Sequence, residues 1–262
     1  MRRQTLGLTL FTMVGIGAMA QVPRFGQDPD YHNFADRRVM LDVPNFMDVV
    51  SNLPFALAGA LGLVAIGRAS RRGALARADR ACLTVAFVGM ILTAAGSAYY
   101  HWSPDNQTLV WDRAALTLAF MGFVAAMLGE RIGPRVGGAA LAPLVALGLV
   151  SVGYWTWTES RGAGDLRPYA FVQFFSLLVL VYLIVMFPTR YFPTSAVVVT
   201  LSGYALAKAF EVLDRPILSL TGGLISGHTL KHLAAGFACY WIAHTILRSA
   251  GRPAEPAVKQ PA

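Results

Sequence analysis

The stretch GHTLKH sets His228 and His232 four residues apart, which places both imidazoles on one face of a helix. Two rings so placed can share one metal ion, as the same spacing does in zinc peptidases. The spacing also arises by chance in many helices, so a third ligand has to come from elsewhere in the chain. Of the five histidines, His32 belongs to the segment before the apolar runs and His244 lies three helical turns beyond His232. His101 falls at the matching depth. Three histidines with an open fourth position are the arrangement of a catalytic zinc site. Imidazole ligation without a thiolate favours zinc over iron or copper. The bland alternative is three histidines that satisfy polar contacts inside a helix bundle.

Two further side chains stand close in sequence to His101. Ser97 is four residues before it, on the same helical face. It either donates a hydrogen bond to an oxygen at the metal or to an oxyanion, or is a small helix-packing residue. Asp112 opens the next apolar run. It takes a proton from the attacking water, or orients a histidine, or is an N-terminal helix charge favoured by the dipole. Asp105 competes for this role, but its setting, SPDNQ, is that of a turn, where aspartate is ordinary. Zinc brings the pKa of its water from 15.7 to about 7 and polarises a carbonyl, so the implied reaction is hydrolysis of an amide or ester.

The elements that must hold these residues are apolar. Of the 262 residues, 55% are hydrophobic and 14% are charged, against about 25% charged in soluble domains. Seven runs are long enough to span a bilayer, at roughly 47–67, 81–101, 109–129, 136–155, 169–187, 195–213 and 228–247. The expected fold is an all-α membrane protein, a seven-transmembrane helix bundle with an intramembrane zinc site, over 47–248. Residues 1–20 carry two arginines, an apolar run and Ala18-Met19-Ala20, and read as a signal peptide or an N-terminal hydrophobic helix. Residues 21–46 form an extracytoplasmic segment, and 249–262 a disordered cytoplasmic tail. The two cysteines, Cys82 and Cys239, lie in apolar runs and fill space rather than ligate.

Basic residues set the orientation. Arg68, Arg71, Arg72, Arg77, Arg80, Arg131, Arg135, Arg190, Arg248, Arg252 and Lys259 fall on one side. Only Arg24, Arg37, Arg38, Arg161, Arg167 and Arg215 fall on the other. The richer side is cytoplasmic, so the N-terminal segment is outside and the C-terminus inside. This also accounts for the net charge of +8 without nucleic acid. Asp48, Ser51 and Asn52, then Ser97, His101, Asp112, His228 and His232, all then lie at one depth near the outer face. Ionisable groups inside a membrane are by default functional.

S-x-x-x-H, an aspartate eleven residues on, and a distant H-x-x-x-H together resemble the alkaline ceramidases, members of a superfamily that includes the progestin and adiponectin receptors. The matching positions are Ser97, His101, Asp112, His228 and His232. The stretch NFMDVVSNLPF is similar to the family's entry into the first span through Phe46, Ser51, Asn52 and Leu53. The resemblance covers about 28–247. It implies a zinc amidase within seven helices that cuts the N-acyl bond of ceramide, with three histidine ligands, Asp112 acting on the water and Ser97 near the metal.

The chain departs from that family before the first span. There the ceramidases bind calcium on an acidic segment. Here Asp30 fits its start, Tyr31 replaces a tryptophan, and Asn45 stands where the family has a glutamate. Asp30, Asn33, Asp36 and Asn45 are left as oxygen donors for calcium, or as a polar solvated loop. Lys208 and Glu211, three apart, form an intramembrane pair or meet a polar head group. Tyr99, Tyr100, Trp102, Trp111, Tyr154, Trp155 and Trp157 read as an interfacial aromatic belt. The expected partner is a membrane lipid with an N-acyl bond, such as ceramide, or another lipid amide or ester. The competing classes are a receptor-like protein with a structural zinc and a transporter with a histidine proton relay. The lack of inverted repeats and broken helices counts against the transporter.

Overall fold

The computed structural model describes residues 2–251 and is all-helical. Of the expected disordered tail, 249–251 instead continue the last helix, and the rest, from 252 onward, lies outside these residues. Eleven α-helices run through the described chain: α1 (Arg2–Gln21), α2 (Phe46–Val50), α3 (Leu53–Arg71), α4 (Arg77–Trp102), α5 (Asn106–Arg131), α6 (Pro134–Glu159), α7 (Arg167–Ala170), α8 (Ser176–Met186), α9 (Thr194–Val212), α10 (Asp214–Leu220) and α11 (Gly227–Gly251). A single turn of π-helix, Phe171–Phe175, joins α7 to α8 into one rod.

Six segments are long and apolar enough to cross a membrane: Phe46–Arg71, Arg77–Trp102, Asn106–Arg131, Pro134–Glu159, Arg167–Met186 and Thr194–Val212. This is the make-up of a multi-pass membrane protein. The count is one short of the seven expected. The seventh run does form a helix, the 25-residue α11. His228, Lys231, His232 and His244 interrupt its apolar run, which is why apolarity alone does not register it. It packs against α3 and α9.

Local sequence explains where the helices break. Asp105 caps α5 with a reciprocal capping box, its carboxylate accepting from the Thr108 amide at 2.7 Å. Asp105 is thus the turn residue its setting suggested. The cap's amide hydrogen bonds hold its carboxyl below the usual carboxylate range. Gly73 ends the turn after α3 at φ +67°. Pro134 starts α6 at the position where a missing N–H costs nothing.

Helices α4 and α5 form the most extensive pair, with α3 and α6 alongside. Apolar burial is concentrated in two places. One is a large cluster around Cys82, Phe87, Met127, Leu183 and Ile246. The other, smaller, comprises Phe34, Tyr100, Leu109, Trp155 and Tyr169. Tyr100 and Trp155 are therefore core residues, not members of an aromatic belt. Tyr99, Trp102, Trp111 and Trp157 remain exposed, as a belt requires. Helix α1 lies against the fifth span, where Phe11 stacks on Phe175 and Tyr182.

Candidate metal centre

His101 comes from the last turn of α4, and His228 and His232 from the first turns of α11. The three rings meet as a near-equilateral triangle with centroids 4.8 to 4.9 Å apart. One ring nitrogen from each lies within 4.8 Å of the others, and all three side chains are buried. A tetrahedral ion with ligands at 2.0–2.1 Å spaces them about 3.3 Å apart. His101 Nδ1 is buried with no hydrogen-bond partner. A buried, unpaired ring nitrogen is costly, and a cation among the three rings removes that cost. The residues present fit a metal ion.

The imidazole of His232 has its tautomer fixed by neighbours. The Ser51 hydroxyl donates to the Asp48 carbonyl at 3.2 Å, and its oxygen meets His232 Nδ1 at 2.8 Å. Ser51 has one proton to give, so His232 Nδ1–H donates to Ser51 and Nε2 keeps its lone pair for the cage. Asp48 is itself held by Thr229 (2.8 Å) and Ser226 (3.4 Å). The stretch at the start of the first span therefore supports the α11 ligands.

Other parts of the frame come from residues that sequence reasoning passed over. Asp214 accepts the His228 amide at 2.8 Å and the Ala35 amide at 2.9 Å, tying α11 to the N-terminal segment. Gly227 lets this happen: a Cβ there would sit 2.3 Å from the Phe210 carbonyl oxygen and 2.6 Å from Asp214 Cα. Phe34 packs on both His101 and His228, with centroids 4.6 and 4.7 Å away, and closes that side of the cage. Asp214 opens the short helix α10 and Phe34 sits in the N-terminal segment, and neither belongs to an apolar run that would mark it.

Ser97 and Asp112 are brought together as well. The Ser97 hydroxyl lies beside the Asp112 carboxylate. Their helices touch backbone to backbone at Gly96, where a Cβ would lie 2.6 Å from the Trp111 carbonyl oxygen. Asp112 is not part of the three-histidine group. Ser97, Asp112 and His232 all line one cavity of about 430 Å³, which runs past Phe55, Met90, Leu180 and Ile242. The cavity wall is mostly apolar, and Arg113, Lys208, Glu211 and Lys231 also line it.

The Lys208–Glu211 pair forms, and Lys231 joins it with Nζ 2.5 Å from Glu211 Oε1. Lys231 was legible within GHTLKH but was not singled out.

The four residues considered for calcium are used differently. Asp36 accepts from Arg38 Nε at 2.8 Å and Nη2 at 2.5 Å. Burial would raise the Asp36 carboxyl, but the Arg38 hydrogen bonds outweigh it and hold it below the usual range. Asn33 accepts from Arg37. Asn45 donates its amide to the His101 carbonyl at 2.8 Å and so serves the histidine cage. Asp30 is exposed. These partners give a calcium site no support.

No protein-family model matches the chain, and no curated protein matches it.

Proposed function

We propose that the chain is an integral-membrane, zinc-dependent lipid amide hydrolase of ceramidase-like type, acting within a seven-helix bundle with the N-terminal segment outside and the C-terminus in the cytoplasm. One observation carries this reading. His232 of a buried three-histidine cage lines one largely apolar cavity together with Ser97 and Asp112. A cage whose fourth ligand were a protein carboxylate would speak for a structural ion. Among the described residues no carboxylate joins the three rings. Imidazole ligands without thiolate favour zinc.

Bound zinc supplies Lewis acidity and a water of lowered pKa. The chain's own residues do the rest. The cavity takes the acyl chain and brings the amide carbonyl to the cage. Asp112 removes a proton from the attacking water as its oxygen bonds the acyl carbon. It returns that proton to the nitrogen as the C–N bond breaks. Ser97, beside Asp112, holds that carboxylate in position with its single hydroxyl proton. The products are a fatty acid and an amine. The resemblance to the alkaline ceramidases supports the same roles for Ser97, Asp112 and the three histidines.

The test is to purify the full chain, assay its metal, and incubate it with N-acyl lipids and lipid esters under mass spectrometry. Chelator-sensitive release of fatty acid is expected from the amides. His228→Ala is expected to lose both the metal and the activity. Full metal stoichiometry in a variant lacking two of the three histidines would overturn the ligand assignment.

A further inference from the structure

Arg113 is the cavity residue left without a role. It follows Asp112 on α5, lines the same cavity, and is 6% exposed. No carboxylate of the described residues forms an ion pair with it; Glu211, which lines the same cavity, pairs with Lys208 and Lys231. One guanidinium nitrogen, Nη2, donates to the Gln27 side-chain oxygen at 2.5 Å. The other, Nη1, is buried with no acceptor. The rings of Tyr31, Trp155 and Tyr169 surround the guanidinium at 5.7, 4.2 and 4.7 Å. These rings offset part of the cost of a buried cation but accept no in-plane hydrogen bond. They also fix the plane of the fork, which pre-organises it for a bidentate anion.

Charge across the cavity points the same way. Its buried or half-buried ionisable walls are Arg113, Lys208 and Lys231 against Asp112 and Glu211. Glu211 is shared by two ammonium groups, and a divalent ion in the cage would add further positive charge. A buried cation without a counter-ion is expensive, and a ligand that supplies the anion is favoured.

We propose that Arg113 recognises an anionic group, a carboxylate or a phosphate, on the head of the lipid that the cavity holds. The site then selects N-acyl lipids with acidic heads over those with neutral hydroxyl heads such as ceramide. This rests on the lipid-amide reading for the acyl chain and amide, and adds the head group.

Binding tests it without catalysis. The full chain is stripped of metal with a chelator, so that nothing is cleaved and no ion in the cage can attract a carboxylate. Its affinities for N-oleoylglycine and N-oleoylethanolamine are measured; the two share chain and amide and differ in carboxylate against hydroxyl. The wild-type chain is expected to bind the glycine conjugate about 10- to 100-fold more tightly, the range for a hydrogen bond to a charged group. An oleoyl ethanolamide phosphate ester tests phosphate as the anion against the same neutral reference. Arg113→Gln is expected to erase the preference, and Arg113→Lys to keep part of it. Equal affinities of the wild-type chain for acidic and neutral heads would overturn the proposal, as would an Arg113→Gln variant that weakens all ligands alike. Because the wild-type chain must itself discriminate, the test stands even where a variant fails to fold. Absence of amide cleavage by the metal-loaded protein would refute the hydrolase and leave this result untouched.

Discussion

Ser51→Ala probes the cage through a residue that touches no metal. In the metal-loaded state His232 must present an Nε2 lone pair, so Nδ1 carries the proton and needs an acceptor. That acceptor is Ser51 Oγ at 2.8 Å, and both side chains are buried, at 5% and 2% exposure. Alanine removes the acceptor and leaves a buried N–H unpaired, at about 1–3 kcal/mol. In the empty protein the ring can escape by moving its proton to Nε2. The cost therefore falls mainly on the loaded state and appears in metal affinity rather than in folding. With about 1.4 kcal/mol per tenfold, the loss is roughly 5- to 150-fold, in line with the 10- to 100-fold typical of groups that orient a ligand. Ser51→Thr keeps the hydroxyl and is expected to stay near wild type. The assay is competition of purified protein against a chromophoric zinc chelator, with circular dichroism of the empty protein as the control. A Ser51→Ala protein within twofold of wild-type affinity, alongside a His232→Ala protein that has lost the metal, would refute this account of how His232 is oriented.

Three further outcomes are expected. Asp112→Asn retains the metal and loses about 10²- to 10⁴-fold in turnover; undiminished turnover would remove Asp112 from proton transfer. Gly96→Ala puts a Cβ 2.6 Å from the Trp111 carbonyl oxygen and costs about 1–3 kcal/mol of stability by overpacking. It also moves Ser97 away from Asp112, so lipid turnover should fall more than metal content, a split that parallel metal and activity assays read. Asp165 sets a pH limit on the anchoring of the N-terminal segment. The Arg167 hydrogen bonds, at 2.7 and 2.9 Å, hold its carboxyl below the usual range, and Arg24 lies 3.7 Å away. A carboxylate depressed in the fold contributes stability that is full above its unfolded value, about 3.9, and is lost as pH falls through the lower folded value. Below about pH 4, proteolysis near residues 22–28 should accelerate; Asp165→Asn should show the fast rate already at pH 7, and identical rates at both pH values in wild type would contradict the linkage.

The ligands and the helices that carry them were readable along the chain because both depend on short-range rules. Apolar runs of about 20 residues dictate spanning helices whatever packs around them, and a four-residue spacing puts His228 and His232 on one face before any tertiary contact exists. Depth matching then pointed to His101, since a helix rises by a fixed amount per residue. The run at 228–247 does fold as the helix α11, though its histidines and lysine dilute the apolar signal of a helix that packs in the bundle. The same rules misplace Tyr100 and Trp155, because composition marks an aromatic as interfacial but only packing says whether it faces lipid or core. Asp214, Phe34 and the Asp48–Ser51–His232 relay join segments more than 170 residues apart in sequence, apart from the shorter Phe34 contact to His101. No local pattern encodes such meetings. The sequence by itself determined which side chains could ligate and the elements that carry them. Tertiary structure alone decided which backbone carbonyl fixes the tautomer, which ring shuts the cage, and that Arg113 is left without an acidic partner, because hydrogen bonds and desolvation depend on distances of a few ångströms that only the folded chain defines.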